Sequence, residues 1–118
     1  MVATAISYQL QIEIAQPIQV QIGRLGRFTF PAGRYVYTGS AKRNLEARIA
    51  RHLRQDKKLR WHIDWLLAGS GVDVVKVQRF HDDECVLNQR IFGVIVASGF
   101  GASDCRNGCG SHLRYQGN

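Results

Sequence analysis

The spacing of apolar residues changes near residue 44, and this change limits the folds open to the chain. Between residues 4 and 14 apolar side chains occupy every second position, which is the period of a half-buried strand. From Asn44, a residue type whose side chain can cap a helix start, the spacing becomes that of an amphipathic helix with Leu45, Ile49 and Leu53 as its apolar stripe. The sequence therefore predicts strands first and a helix afterwards. The alternating apolar residues of the first strand are Ile6, Tyr8, Leu10, Ile12 and Ile14.

Turn-forming residues divide the first forty positions into a meander. Pro17 interrupts the first strand, and residues 18–22 alternate again as its hairpin partner. A third short strand is predicted at residues 27–30. After the turn at residues 31–33, a fourth strand covers residues 34–38. The N-terminal third of the chain is thus predicted to be a series of antiparallel strands.

The remainder of the chain predicts further helices and strands. A short helix is expected at residues 61–67, a strand from Val72 to Val77, a third helix from about Glu84 to Val96, and a last short strand near residues 112–115. The predicted fold class is α/β (α+β): a small central, mostly antiparallel sheet with an extra N-terminal hairpin, flanked by about three helices. At 118 residues we expect a single domain over residues 1–118.

The charge of the chain restricts its partners. Sixteen Lys and Arg residues against nine Asp and Glu residues give a net charge of +7, which favours polyanions, either nucleic acid or membrane headgroups. The first residues lack the pattern of a signal peptide, and no stretch approaches the ~18 apolar residues of a membrane span. We therefore expect a cytoplasmic protein whose three cysteines, Cys85, Cys105 and Cys109, are reduced.

The strand, turn and helix of residues 33–52 bring chemically active side chains to one end of the predicted sheet. Tyr35 and Tyr37 share one face of the strand. On the helix, Arg48 lies about 60° and His52 about 20° from Leu45, both on the side away from Ile49 and Leu53, so both flank the buried edge. Because Arg48 and His52 are four residues apart, they face the same way.

These residues resemble a nuclease motif. Tyr37-Thr38-Gly39, followed by Arg48 and His52 one helical turn apart, is similar to the second half of the GIY-YIG nuclease motif and its catalytic helix. Tyr8 matches the tyrosine of the first half. A longer pattern resembles a functionally obscure subgroup of that superfamily whose members occur alone or joined to endonuclease III-type repair glycosylases. Its parts here are residues 30–41, 51–54, 61–67, 84–85 and 100–105.

The chain departs from the GIY-YIG pattern at several positions. Ser7 stands in place of the glycine of the first motif half, and the segment between Tyr8 and Tyr37 is long because it holds the extra hairpin. Repair relatives carry a lysine just after the motif glycine, where this chain has Ser40, with Lys42 nearby as a substitute. These departures bear on the choice of substrate more than on the chemistry.

The resemblance implies hydrolysis of a DNA phosphodiester bond. Tyr37 would accept the proton of the attacking water. Arg48 would stabilise the negative charge of the phosphoryl group through the paired N–H groups of its planar guanidinium. Glu84 would hold a Mg²⁺ or Mn²⁺ ion, while Tyr8 and His52 would orient the water and the phosphate. The implied partners are DNA and a repair protein such as a DNA glycosylase. The residues expected to contact nucleic acid are Ser40, Lys42, Arg43, Arg51, Arg54, Lys57 and Lys58.

The metal ligand has alternatives. On the predicted third helix, Glu84 lies within about 20° of Ile91 and Ile95, whereas Gln89 lies about 140° away. Glu84 therefore shares the apolar stripe, where a carboxylate is costly without a cation. Gln89 remains open as the residue at the equivalent turn, and Glu84 remains open as an ordinary acid near a helix N-terminus.

Three further questions stay open at the level of sequence. The protein is either a structure-directed DNA endonuclease or a non-catalytic nucleic-acid-binding module that keeps the same fold. Trp61 and Trp65 are either core residues, which we favour, or platforms on which bases stack. Cys105, Cys109 and His112 have the spacing of part of a zinc site, but the fourth ligand would have to be recruited, so a glycine-rich loop is preferred.

Overall fold

The computed structural model describes residues 6–41, 44–54, 59, 61–81, 88, 93–97, 99–100 and 111–117. These residues form six strands and two helices. The strands are β1 (Ser7–Ile14), β2 (Ile18–Ile22), β3 (Gly26–Phe30), β4 (Gly33–Ser40), β5 (Val72–Phe80) and β6 (Leu113–Gly117). The helices are α1 (Leu45–Leu53) and α2 (His62–Leu67).

Two antiparallel sheets organise the fold. Strands β5, β1, β4 and β6 lie side by side in that order, with β1 bonded to both β5 and β4. Strands β2 and β3 form a separate hairpin in which Ile18 lies opposite Phe30, so the prediction that residues 18–22 pair with the first strand is wrong. The connection from β1 to β4 therefore consists mainly of the hairpin. The predicted α+β class, with a mostly antiparallel sheet and an extra N-terminal hairpin, is confirmed.

The hydrophobic core covers the face of β1 that the alternation predicted. Tyr8, Leu10, Ile12 and Ile14 are each at most 2% exposed and pack with residues of α1 and α2. At the first end of β1 both faces are covered, since Ser7 and Gln9 are also buried. Alternation correctly identified the apolar face, but it gave no sign that part of the polar face is also shielded from solvent.

The turn from β4 into α1 differs from the expected helix cap. Asn44 has φ 56° and ψ 42°, and its side chain makes no capping hydrogen bond. Asparagine tolerates this left-handed backbone better than most residues, so here it permits a sharp turn. Its carbonyl accepts the N–H of Arg48 at 3.0 Å. The prediction that the Asn44 side chain caps the helix is therefore wrong.

The predicted third helix is wrong at its C-terminal end. Asn88 is helical, but residues 82–87 and 89–92 lie outside the described residues. Residues 93–96 are not helical, because Val94 exchanges two backbone hydrogen bonds of 2.9 Å with Tyr115 in β6. Three consecutive β-branched residues favour this extended pairing. Ile95 is consequently 39% exposed, so it gives no support to a buried stripe shared with Glu84.

Gly39 is required by a ring on the neighbouring strand. It lies directly opposite Tyr8 in the β1–β4 register. A Cβ atom placed on Gly39 would lie 2.5 Å from both Cζ and the hydroxyl oxygen of Tyr8. The glycine of the Tyr-Thr-Gly segment therefore leaves space for the Tyr8 ring, and this ring in turn covers the bare backbone.

We expect Gly39→Ala to destabilise the protein by about 1–3 kcal/mol, because the added methyl overpacks the site. Urea unfolding monitored by circular dichroism measures this loss. In a Tyr8→Leu background the same substitution should cost less than about 0.5 kcal/mol, since the colliding atoms are gone and the two positions are coupled. Equal costs in the two backgrounds would show that the Tyr8 ring is not the reason for the glycine.

Candidate functional site

Three of the four residues predicted to be catalytic form one aromatic cluster. Tyr8 comes from β1, Tyr37 from β4 and His52 from α1. The Tyr8 hydroxyl oxygen lies 2.5 Å from Nε2 of His52. The ring centroid of Tyr37 lies 6.5 Å from that of Tyr8 and 6.1 Å from that of His52. Strand pairing and helix packing thus bring together residues up to 44 positions apart.

The cluster is shielded from solvent. Tyr8 is 1%, His52 is 3% and Tyr37 is 8% exposed. A phenol and an imidazole held this close can share or transfer a proton, and the low dielectric of the interior strengthens their hydrogen bond. Tyr37 is the most exposed of the three. All three side chains are therefore largely enclosed, and Tyr37 exceeds the other two by only a few per cent of exposed surface.

Arg48, the fourth predicted catalytic residue, lies one helical turn before His52 and is half-buried. Its Nη1 donates a 2.7 Å hydrogen bond to the carbonyl oxygen of Ser40, at the end of β4. Its Cζ lies 4.8 Å from the centre of the Trp61 ring. This hydrogen bond and ring contact fix the plane of the guanidinium. Its remaining N–H groups make no hydrogen bond to the described residues and can serve an oxyanion.

Trp61, which is predicted to be a core residue rather than a base-stacking platform, and Asp64, for which the sequence predicts no role, hold this part of α1 in place. Asp64 is fully buried and accepts hydrogen bonds of 2.9 Å from the backbone N–H of Trp61 and from Nη1 of Arg51. The Trp61 ring centre lies 4.3 Å from Cζ of Arg51 and 5.7 Å from the His52 ring. Asp64, the third residue of α2, bonds back to the N-cap N–H as the acid of a capping box does, but an indole cannot accept the reciprocal bond, so the usual sequence signal of that motif is absent.

Three of the seven predicted nucleic-acid-binding residues are among the residues that the structure describes. Arg51 is paired with buried Asp64, and its side chain is only 20% exposed. Arg54 follows the end of α1 and is exposed, whereas Ser40 is half-buried beside Arg48. The other predicted contacts, Lys42, Arg43, Lys57 and Lys58, lie outside the described residues.

A second ion pair attaches the first turn of α1 to β5. Arg79 donates hydrogen bonds of 2.5 and 2.6 Å to the two carboxylate oxygens of Glu46. These bonds hold the pKa of the Glu46 carboxyl below its ordinary value. Arg79 lies opposite Tyr8 in the strand register, so this exposed pair lies on the β5 side of the cluster.

At the first residue of α2, burial lowers the pKa of His62, whose ring centroid lies 5.7 Å from that of Phe100.

The described residues offer no ligand set for the implied metal ion. No group of three or more His, Cys, Asp and Glu side chains among them could hold one. The nearby carboxylates of Glu46 and Asp64 are both bound to arginines. Glu84, the predicted ligand, lies outside the described residues. The same holds for Cys105 and Cys109 of the zinc alternative, whereas His112 is described and buried.

We expect Asp64→Asn to lower the free energy of unfolding by about 3–5 kcal/mol, because it removes the fully buried charge that pairs with Arg51. Glu13→Gln is the matched control, since it breaks the exposed pair with Arg34 and should cost less than about 1 kcal/mol. Urea unfolding at neutral pH measures both. Similar small losses in the two variants would show that Asp64 does not fasten α2 to α1.

Comparisons with known proteins give one finding. No curated protein and no solved structure matches this chain. No helix within the described residues is long and apolar enough to cross a membrane. A family model described as a domain of unknown function, DUF123, matches residues 7–118, and this description names no activity. The resemblance to GIY-YIG nucleases therefore stays a prediction, and the chain belongs to the DUF123 family.

Proposed function

We propose that this protein is a metal-dependent DNA endonuclease of the GIY-YIG type that hydrolyses phosphodiester bonds at structural features of DNA during repair or recombination. The observation that carries the proposal is the meeting of Tyr8, Tyr37 and His52 beside Arg48. Four residues matched to the motif come from two strands and one helix, so their convergence is not a consequence of sequence proximity. The net charge of +7 suits a polyanionic substrate.

Each side chain has a role that its surroundings allow. Tyr37, the most exposed member of the cluster, accepts the proton of the attacking water. Arg48 directs its remaining N–H groups at the phosphoryl oxygens, while Trp61 and the Ser40 carbonyl hold its plane. The Tyr8–His52 hydrogen bond fixes the position of both rings behind Tyr37. The ordinary pKa of tyrosine is about 10, so proton removal by Tyr37 depends on nearby positive charge such as Arg48.

In this proposal Glu84 is the one protein ligand assigned to the metal ion. A single carboxylate with water molecules suits Mg²⁺ or Mn²⁺. When bound, such an ion supplies positive charge that stabilises the departing oxygen. No step assigned above to Tyr37 or Arg48 is routed through the ion. Cytoplasmic location and association with a repair glycosylase complete the proposal and rest on the sequence.

A non-catalytic nucleic-acid-binding module is the second candidate. The observation in its favour is the burial of Tyr8 and His52, which are only 1% and 3% exposed. Residues so enclosed also serve as ordinary core. In this alternative the basic residues grip phosphates without sequence preference, and the tyrosine cluster only stabilises the fold.

We expect the purified protein to cut branched or nicked DNA in the presence of Mg²⁺ or Mn²⁺ and to be inactive in EDTA. Glu84→Gln should abolish cutting and leave DNA binding intact. Arg48→Lys should slow cutting by about a hundredfold or more, because lysine keeps the positive charge but lacks the paired N–H donors of a guanidinium. Single-turnover cleavage followed on gels measures these rates.

Arg34→Lys is the matched control for Arg48→Lys, since Arg34 is exposed and paired with Glu13 at the far end of β4. It should cut at the rate of the unaltered protein. If the unaltered protein and Glu84→Gln are equally inert across a panel of DNA and RNA structures, the nuclease proposal is wrong and the binding module replaces it.

A further inference from the structure

A groove separates the β2–β3 hairpin from α2. Its volume is about 490 Å³. The residues that line it include the apolar Ile18, Val20 and Leu59, the aromatic Trp65 and the basic Arg27. None of the side chains proposed above for catalysis lines this groove. It is therefore a separate feature of the surface.

Small residues keep the groove open and a tight contact fixes its aromatic wall. A Cβ atom on Gly69 would lie 3.0 Å from Cδ1 of Ile18, so a larger residue there would press into the lining. A Cβ atom on Gly23 would lie 3.2 Å from the indole nitrogen of Trp65. The edge of the Trp65 ring is thus packed against the hairpin turn. The indole N–H makes no hydrogen bond to the described residues.

The polar groups around the groove suit a nucleotide. Arg27 is exposed, is the charged residue among the described residues that line the groove, and forms no ion pair with any of them. Gln19 and Gln21 add amide groups, and Gln21 donates a 2.8 Å hydrogen bond to the Gly23 carbonyl, which leaves its own amide oxygen as an acceptor. A flat aromatic wall, amides and a cation match the stacking face, the edge and the phosphate of one unpaired nucleotide.

The position of the groove relates it to the aromatic cluster. Trp61 is the N-cap of α2, with extended backbone, and Trp65 lies in the helix four residues later, about 6 Å further along the axis. Trp61 contacts Arg48, the residue proposed to hold the phosphoryl group. A DNA strand held at Arg48 therefore has a short path along α2 to the groove.

We infer that this groove binds an unpaired base of a DNA strand, stacked on Trp65 with its phosphate on Arg27. The inference rests on the proposed function and narrows its substrate to DNA that carries a single-stranded arm beside a duplex. Stacking on one aromatic ring is tolerant of sequence, so we expect the groove to accept any base.

The first test measures binding in EDTA, where no cutting takes place. The probes are a fluorescein-labelled duplex with an oligothymidylate arm and the same duplex with blunt ends. Trp65→Leu should weaken binding of the armed duplex by about tenfold, because one stacked base is lost. Arg27→Gln should weaken it by a smaller factor and reduce its salt dependence, because one phosphate contact is lost. Binding of the blunt duplex should change by less than about twofold.

Lys76→Gln is the matched control for Arg27→Gln, because it removes the same charge from an exposed strand residue that does not line the groove. It should affect armed and blunt duplexes equally. Equal selective losses for Lys76→Gln and Arg27→Gln would overturn the inference. If thermal melting shows that Trp65→Leu is unfolded, Arg27→Gln decides the question, because Arg27 is exposed and away from the core.

The second test observes Trp65 directly. The chain has two tryptophans, so Trp61→Phe leaves Trp65 as the sole indole. Oligothymidylate should quench its fluorescence, and polyglutamate of equal charge should not. Absence of quenching by oligothymidylate, equal quenching by polyglutamate, or quenching by oligouridylate alone would each overturn the inference, even if the protein cuts DNA. Quenching by oligothymidylate in a protein that never cuts supports the groove and contradicts only the nuclease proposal.

Discussion

The hydrogen bond between Tyr8 and His52 is the contact on which the rest of the site depends. It joins the central strand of the main sheet to α1 inside the core, at 2.5 Å. It can form because Gly39, on the adjacent strand, has no side chain that would displace the Tyr8 ring. Once His52 is fixed, Arg48 is fixed one turn earlier on the same helix. The strand register thereby determines where the guanidinium proposed to hold a phosphate must lie.

Two ion pairs hold α1 on either side of this hydrogen bond, and they do not contribute equally. The Glu46–Arg79 pair is solvent-exposed, and water and salt screen such a pair so strongly that it adds little to stability. The Arg51–Asp64 pair involves a carboxylate with no exposure, so loss of Arg51 would remove a charge partner of a buried anion. The position of α1 therefore depends more on its ion pair with α2 than on its ion pair with β5. At the contact with α2, the Trp61 ring packs against the guanidinium groups of both Arg48 and Arg51.

Local sequence patterns predicted the elements whose apolar residues recur regularly, every second residue in a strand or every three to four residues in a helix. The alternation of β1 placed Tyr8 on the core side, and the stripe of Leu45 and Ile49 gave α1 with His52 near its buried edge. Features that depend on distant partners were not predictable in this way. Val94 is extended because it pairs with Tyr115, and the buried Asp64 is tolerated because Arg51 and the Trp61 N–H surround it. Tyr115 lies 21 residues from Val94 and Arg51 lies 13 residues from Asp64, so local sequence shows neither of these two partners.

Burial separates the cluster into two layers with different physical tasks. Tyr8 and His52 form an inner layer that water scarcely reaches, so their hydrogen bond is strong and their geometry is rigid. Tyr37 and Arg48 form an outer layer, and Arg48 keeps N–H groups that the described residues do not use. A phosphate can interact only with the outer layer unless the inner one opens. Both the nuclease and the binding module would therefore bind phosphate through Arg48. They differ in that only the nuclease needs Tyr37 to accept a proton from an attacking water.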